Sequence, residues 1–403
     1  MKKRTSQPKR QSSLREWPTK RESNHKIIFG VYQKKGGKDV MVAKEIDYPV
    51  SDIRQNVTLP LEQGAQVKAL LKPDGQKKLS AIILKSFGRK LTLRERIARI
   101  LKEFDIPIEF DSSSLKEAKL YGEKPSSSDK KNRVDFTRLA LCTIDGESAK
   151  DFDDAVYAEK KGKNILVVVA IADVSHYVKE ATSLDREAND RGTSIYYPGH
   201  CIPMLPENLS NGLCSLKPRV ERLAITVSFE VGPKGGVIKP AIKEAVIKSA
   251  ARLTYNQVQD FLDDKLPEKE LSAKVKASLR LLQRAAHVLR RSREKRGAID
   301  FDLIESVVAL DDQGEPMAIH PQDRLDSHRI IEDLMVATNE VVAEFFEKKH
   351  LPCLYRVHEA PDQEKLDNFF RTAHAFGALD RSVKTRASSV TEPKALQEIM
   401  THY

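Results

Sequence analysis

The chain has 403 residues and a formal net charge of +11, a length that predicts two or three domains. Hydrophobic residues make up 40% of it, beside 18 Gly and 19 Pro, so the composition excludes a fibrous or mainly disordered protein. The 4 cysteines lie far apart without a CxxC pair, which argues against a zinc ribbon or disulfide framework. No apolar run approaches the ~20 residues needed to span a bilayer, so we expect a soluble, cytoplasmic protein without a membrane partner.

Much of the positive charge lies at the N-terminus. Residues 1–25 hold eight Lys or Arg against Glu16 and Glu22, which is +6 of the total. Residues 1–26 are therefore predicted to be a disordered basic arm. Such an arm suits a polyanion, most simply a nucleic acid, but a solubilising tail without a partner explains the charge equally well.

Residues 27–87 show short β-branched runs separated by turn signals, among them Lys34–Lys38 and Pro73–Gln76. This pattern predicts a small antiparallel barrel, for which an OB or cold-shock fold is favoured over another small β module. Residues 88–133 are predicted to be a helix and a linker. The helix begins at a capping box, Thr92–Glu95, and stops before Pro107, and the Ser-rich stretch 111–133 reads as the linker.

A second domain is predicted over 134–403, with strands and helices interleaved. Asn164–Asp173 is almost continuously apolar, which predicts a strand buried on both faces, and Leu223–Val231 is another strand. Helices are predicted at Thr254–Leu262 and along two apolar stripes. The stripes are Val275, Leu279, Leu282, Ala286, Leu289 and then Ile331, Leu334, Met335, Thr338, Val342, Phe345. The fold class is therefore multidomain α+β, a small barrel followed by a mixed α/β domain.

Four aspartates, Asp145, Asp151, Asp153 and Asp154, fall within ten residues and are bracketed by apolar segments. Gathered carboxylates repel one another unless a cation neutralises them, and oxygen ligands favour Mg²⁺, with Mn²⁺ as the second choice. An EF-hand calcium loop is excluded because its fifth and sixth positions would be Ala149 and Lys150. Two-metal hydrolysis of a phosphodiester fits the cluster, and a structural acidic turn with one adventitious ion is the alternative.

The stretch around these aspartates, Thr143–Val156, resembles the signature of RNB-type exoribonucleases, the ribonuclease II and ribonuclease R family. Further matching segments follow in the family's order, and the overall pattern is closer to ribonuclease R. These segments are 170–175, 190–196, 202–206, 209–216, 251–255, 296–299, 328–332 and 354–358. The resemblance implies a cold-shock-like barrel before an RNB catalytic domain. It also implies Mg²⁺-dependent 3′-to-5′ hydrolysis of single-stranded RNA to nucleoside 5′-monophosphates.

The resemblance also implies site residues. Asp145, Asp151 and Asp154 match magnesium-site carboxylates, and Asp153 matches the carboxylate most directly needed for cleavage. Three further residues match RNA-binding positions: Tyr196 and Phe301, which stack on the 3′-terminal nucleotides, and Glu332 near the terminal nucleotide. The residues alone leave a second interpretation open for two of these positions. Phe301 is then a core residue, and Glu332 is an exposed carboxylate on a helix. The basic run 290–296 has two readings, as phosphate contacts or as cations at a helix end.

The family's domain continues beyond the point matching Tyr403, through an arginine that contacts the scissile phosphate and an OB-type RNA-binding domain. We therefore expect an incomplete catalytic domain, and a catalytically impaired RNA-binding fragment is the alternative function. An endonuclease using the same metals is a weaker third possibility. Single-stranded RNA is the expected partner, together with RNA-degradation machinery, and a monomer is favoured.

Overall fold

The computed structural model describes residues 26–43, 50, 52–55, 61–73, 79–89, 91–265, 271–298, 305–357 and 362–377. These residues divide into two compact units, one comprising residues up to 108 with 310–317, and the other comprising 109–309 with 318 onward. The predicted basic arm, most of the 73–76 turn and Phe301 lie outside the described residues.

None of the helices in these described ranges is long and apolar enough to cross a bilayer.

The first unit is built on a five-stranded sheet. Its strands are β1 (Lys26–Lys35), β2 (Lys38–Val42), β3 (Asp52–Gln55), β4 (Gln66–Pro73) and β5 (Leu79–Ser86). The spatial order is β2-β1-β4-β5-β3, and the neighbouring strands are antiparallel except β3 and β5. The sheet is OB-like, as the turn and strand pattern predicted.

Two glycine positions explain local features of this sheet. β1 and β2 are joined by Gly36 and Gly37, whose φ angles of 57° and 76° suit a two-residue hairpin turn. Gly30 lies against β2, where a Cβ atom would come within 2.8 Å of the Met41 side chain. The close approach lets Met41 fill the core beside Tyr32.

Helix α1 (Leu93–Glu103) follows with the predicted capping box, in which Thr92 and Glu95 exchange hydrogen bonds. The stretch predicted as a linker differs from that expectation, because it contains a second helix, α2 (Ser112–Leu120). Buried Ser114 donates to the Ser183 carbonyl at 3.2 Å, and Glu117 accepts from the Leu184 amide at 3.0 Å. Serine-rich sequence thus forms a helix here because small side chains allow tight packing on a neighbouring element.

The second unit contains a seven-stranded mixed sheet and a short hairpin. The strands of this part of the chain are β6 (Val134–Phe136), β7 (Cys142–Asp145), β8 (Asp154–Lys161), β9 (Asn164–Ala172), β10 (Ile195–Tyr197), β11 (His200–Ile202), β12 (Glu221–Val231), β13 (Val237–Lys248) and β14 (Ala251–Thr254). The large sheet has the order β14-β7-β8-β9-β12-β13-β6, while β10 and β11 form the hairpin. Each edge strand is parallel to its neighbour, β14 to β7 and β6 to β13. The other neighbouring pairs are antiparallel. Two further strands, β15 (Glu305–Leu310) and β16 (Pro316–Gln322), pair with each other.

Helices cover both faces of the large sheet. The helices of this unit are α3 (Val174–Tyr177), α4 (Ser183–Arg191), α5 (Tyr255–Leu262), α6 (Ala273–Lys295), α7 (Asp326–Lys348) and α8 (Gln363–Ala375), with a π-helical turn at Leu209–Leu213. Along β9, Val167 and Val169 join the core under α5, α6 and α7, while Val168 and Ala170 join the core under α4 and the π-helical turn. This alternation confirms the prediction of a strand buried on both faces.

The predicted apolar stripes lie where helical periodicity placed them. All five stripe residues of α6 are buried, as are Ile331, Leu334 and Thr338 of α7. Phe345 differs, since 40% of its surface remains exposed near the end of α7. The two helices pack against each other and against the sheet, so one side of the sheet edge that carries the aspartates is rigidly supported.

Candidate active site at the sheet edge

Sheet topology gathers the aspartates at one edge. Asp145 is the last residue of β7, and Asp154 is the first residue of its antiparallel neighbour β8. β14 runs parallel to β7 with Thr254 opposite Asp145, so helix α5 also begins at this edge. Residues that are nine positions apart in the chain therefore end up side by side.

The loop between the two strands is fixed by backbone hydrogen bonds. The Ser215 hydroxyl donates to the Lys150 carbonyl at 2.8 Å and accepts from the Phe152 amide at 3.1 Å. The Leu216 amide donates to the Phe152 carbonyl at 2.8 Å. Phe152 is buried, so its two neighbours Asp151 and Asp153 are held in place by an anchored backbone.

Arg252 of β14 holds the other end of the loop. Its Nη2 donates to the Gly146 carbonyl at 2.6 Å and to the Glu147 carbonyl at 2.9 Å. Asn256 adds a bond from Nδ2 to Glu147 Oε1 at 3.0 Å. The guanidinium also lies 5.4 Å from the centre of the Phe152 ring. One cation therefore braces the turn that follows Asp145.

Burial and the charges of neighbouring aspartates raise the pKa values of Asp145, Asp153 and Asp154. Burial, followed by repulsion from Asp145 and Asp153, raises the pKa of Asp154 to about 7. Burial also raises the pKa of Asp145 to about 6, against the opposing effect of the nearby Arg252 charge. The pKa of Asp153 is raised by burial and by Asp151. These mutual effects show that the structure brings all four predicted aspartates into one electrostatic cluster.

Two oxygens of the cluster lack a hydrogen-bond partner among the described residues. They are Asp145 Oδ2 and Asp154 Oδ2, and both are buried. A buried carboxylate oxygen without a donor is costly, and a hard divalent cation relieves that cost. Within the described ranges, no three His, Cys, Asp or Glu side chains are already arranged around a common metal position. Two observations therefore indicate that the aspartate cluster fits a cation. They are the two unpartnered carboxylate oxygens and the repulsion between the neighbouring carboxylates.

Tyr196, which the resemblance made a candidate RNA-stacking residue, contacts this cluster through Asp151. Its ring is 66% exposed, and its hydroxyl donates to Asp151 Oδ2 at 2.6 Å. The accepting carboxylate, burial and nearby negative charge together raise the pKa of the Tyr196 hydroxyl, which stays protonated as a donor. Phe301, the second predicted ring, is outside the described residues.

Glu332 lies in a cavity of about 310 Å³ that is lined also by Tyr255, Arg324 and His328. The Tyr255 and His328 rings stack with their centres 4.0 Å apart. Burial, with smaller effects of Asp145 and Asp154, raises the pKa of Tyr255 to about 12, so this ring borders the aspartate cluster as well as the cavity. Glu332 pairs with Arg324 and, at 3.4 Å, with Arg293.

The basic run 290–296 forms ion pairs with helix α7. Arg290 Nε is 2.8 Å and Arg293 Nη2 is 3.0 Å from carboxylate oxygens of Asp333, which is only 3% exposed. Arg296 pairs with Glu340 at 2.7 Å. These ion pairs give the three arginines a structural role in joining α6 to α7, beyond the helix-end position that the sequence suggested.

The sequence analysis gave no role to Arg252, Ser215 and Tyr255, although all three lie in segments that resemble the family, 209–216 and 251–255. Their positions depend on the parallel pairing of β14 with β7 and on the approach of the 215–216 backbone to Phe152. Neither contact has a local sequence signal. The capping box Thr254–Gln257 was available as a sign that a helix begins beside Tyr255.

The second unit thus has a mixed sheet with a carboxylate cluster at its edge, and the first unit has an OB-like sheet. The model of the RNB domain matches residues 133–402, which is most of the second unit, and the chain belongs to the RNB domain family.

Ribonuclease R proteins are among its relatives. Ribonuclease R of Aquifex aeolicus is 35% identical over 399 residues, which is 92% of this chain and 56% of that protein. Ribonuclease R of Escherichia coli is 38% identical over 304 residues, 75% of this chain and 37% of that protein. The structure of Mycoplasma genitalium RNase R in complex with ribose-methylated single-stranded RNA superposes with a TM-score of 0.78 at 26% identity, over 88% of this chain and 56% of that one. The chain thus spans about half the length of these relatives, or less.

Proposed function

We propose that this chain carries the catalytic site of a 3′-to-5′ exoribonuclease that hydrolyses single-stranded RNA to nucleoside 5′-monophosphates. The observation that carries the proposal is the cluster of four aspartates with two unpartnered buried oxygens at the sheet edge. Family membership supports the reaction, and the single-stranded RNA in the Mycoplasma genitalium complex supports the substrate.

Asp145, Asp151 and Asp154 would hold Mg²⁺, with Mn²⁺ as an alternative. A bound divalent ion supplies two things at such a site: it lowers the pKa of a coordinated water, and it neutralises charge on the phosphate. The unpartnered oxygens of Asp145 and Asp154 suit that ion, because a hard cation prefers carboxylate oxygen.

The remaining side chains would bind and orient the RNA. Asp153 follows the anchored Phe152, and its carboxylate would approach the scissile phosphate and the attacking water. The exposed Tyr196 ring offers a stacking surface, which accepts any base because every base has a π-face. The cavity beside Glu332 and Tyr255 would receive the 3′-terminal nucleotide. Phe301 is proposed as the second stacking ring.

The test is a denaturing gel of 5′-labelled single-stranded RNA incubated with the purified chain. With Mg²⁺, we expect a ladder that collapses to a very short 5′ end-product, and with EDTA, intact RNA. Asp153→Asn should abolish shortening while RNA binding stays unchanged. The control is Asp260→Asn, the same chemical change at an exposed position of α5. This variant should shorten RNA as fast as the unaltered chain does. Shortening that survives Asp153→Asn would contradict the role given to Asp153.

The alternative is an RNA-binding chain that does not cleave. The same gel separates the two, since this alternative requires full-length RNA in Mg²⁺ together with a shifted band on a native gel. Internal cuts in a circular RNA would point instead to an endonuclease.

We also propose a reducing, cytoplasmic setting, an association with RNA-degradation machinery and a monomeric chain. Support for the reducing setting comes from the four cysteines, all of which are free thiols. Burial raises the pKa of Cys142 and Cys214 to about 12, which makes both thiols poor nucleophiles for disulfide exchange.

A further inference from the structure

We propose that Tyr196 is a positioning residue for the metal site as well as a stacking surface for RNA. Its hydroxyl orients Asp151, and its ring receives a base, so that one side chain links substrate engagement to the geometry of a metal ligand. The proposal rests on the proposed function, because Asp151 is a ligand only if the aspartates hold a metal.

Tyr196 is presented by a well-anchored hairpin. β10 and β11 pair with Tyr196 opposite Cys201 and Ile195 opposite Ile202. Ile202 is buried, and the Met204 amide donates to the Ser194 hydroxyl at 2.9 Å, which closes the base of the hairpin. The ring is therefore open to solvent although its backbone is fixed. An exposed ring on a fixed backbone is suited to bind a ligand without first being ordered.

The Tyr196 hydroxyl fixes the orientation of the Asp151 carboxylate, which the backbone hydrogen bonds of the loop do not. Ser215 fixes the peptide groups on both sides of Asp151, through Lys150 and Phe152, but leaves the carboxylate free to rotate. The 2.6 Å bond from the Tyr196 hydroxyl to Asp151 Oδ2 selects one orientation of the carboxylate. A hydrogen bond to a charged acceptor is short and strong, so it competes well with water. Asp151 is thereby pre-oriented by a residue 45 positions away in the chain.

Tyr197 provides a matched comparison on the same hairpin. Successive residues of a strand point to opposite faces, and the Tyr197 ring lies 5.5 Å from that of His200, away from the Asp151 contact. Removing its hydroxyl makes the same chemical change one residue away without touching the aspartates.

The first measurement is Mn²⁺ binding to the full chain without RNA, followed by the electron paramagnetic resonance signal of free Mn²⁺. Tyr196→Phe should weaken Mn²⁺ binding roughly tenfold, the size expected for a lost hydrogen bond to a carboxylate. Tyr197→Phe should bind Mn²⁺ like the unaltered chain. Equal thermal melting of the three proteins establishes that all are folded.

The second measurement is the affinity for single-stranded RNA in EDTA. Tyr196→Phe keeps the ring and should bind RNA as tightly as the unaltered chain, whereas Tyr196→Ala should lose affinity for both RNA and Mn²⁺. If Tyr196→Phe binds Mn²⁺ normally, the positioning role is refuted while the nuclease proposal stands. If the unaltered chain binds no Mn²⁺, both proposals fail.

Discussion

The Arg252 guanidinium contacts the turn that leads from Asp145 towards Asp151, and it does so through two carbonyl groups. Its charge also opposes the rise in the pKa of Asp145. A single side chain therefore restrains the loop and keeps one carboxylate available in its charged form.

Arg252→Gln should raise the Mg²⁺ concentration needed for half-maximal RNA shortening several-fold, because two charge-assisted bonds to the loop are lost. Initial rates across a Mg²⁺ titration measure this. Arg284→Gln, at an exposed position of α6, is the control and should leave the requirement unchanged. Equal requirements in both variants would show that Arg252 does not brace the site.

The raised pKa of Asp154 predicts how the metal-free chain responds to pH. This carboxyl titrates near 3.8 when unperturbed and at about 7 in the folded chain, so between these values the folded state binds more protons than the unfolded state. The protonated Asp154 carboxyl therefore contributes to the free energy of unfolding at low pH. That contribution, on the order of 2 kcal/mol, is lost as the pH rises towards 7.

Thermal melting in EDTA at pH 5 and pH 7.5 measures this. The difference between Asp154→Asn and the unaltered chain isolates the group from the other titrating residues, and the variant should gain stability relative to the unaltered chain at pH 7.5. Mg²⁺ should remove most of that gain by neutralising Asp154. A difference that does not change between the two pH values would exclude Asp154 as the source.

At the scale of elements, helix α6 is joined to strand β8 by a polar residue within an apolar face. Ser278 is buried among the stripe residues, and its hydroxyl accepts the Ala158 amide at 2.8 Å. That amide is in the interior, where an unpartnered donor costs free energy. The serine thus satisfies a strand amide where the helix crosses the sheet.

Ser278→Ala should lower the free energy of unfolding by about 1–3 kcal/mol, the cost of a buried unsatisfied donor. Urea unfolding followed by circular dichroism measures it. The control is Ser292→Ala, at a half-buried position of the same helix. It should change the free energy of unfolding by less than about 0.5 kcal/mol. A neutral Ser278→Ala would mean that the Ala158 amide finds another acceptor.

For the whole chain, charge is distributed very unevenly along the sequence. Residues 1–25 carry eight of the 69 basic side chains and +6 of the net +11. Binding of a polyanion by these cations releases counterions, which makes the affinity depend on salt.

Removal of residues 1–25 should therefore reduce the steepness of the salt dependence of RNA binding. Eight cations, at roughly 0.7 each, correspond to at most about 6 units in the slope of log affinity against log salt on a single strand. Filter binding from 50 to 300 mM KCl compares the two chains. An unchanged slope would favour the reading of this segment as a solubilising tail.

Much of this molecule was determined by local sequence. The Thr92–Glu95 capping box, the α6 stripe and the doubly buried β9 were predicted correctly, because capping chemistry and side-chain periodicity act over a few residues. The acidic motif similarly identified Asp145, Asp151, Asp153 and Asp154 as a cluster, since most of its members lie within four positions of one another.

Tertiary structure decided the rest. Residues 112–120 became a helix because α4 offers a surface for Ser114 and Ala118, a partner that the Ser-rich composition could not reveal. Arg252 and Tyr196 reached the acidic loop through strand pairing and a hairpin, over separations of 106 and 45 residues. The pKa values of Asp145 and Asp154 follow from burial at the sheet edge. The sequence determined which groups are present, and long-range packing determined which of them meet, because the free energy of burial depends on neighbours that are distant in the chain.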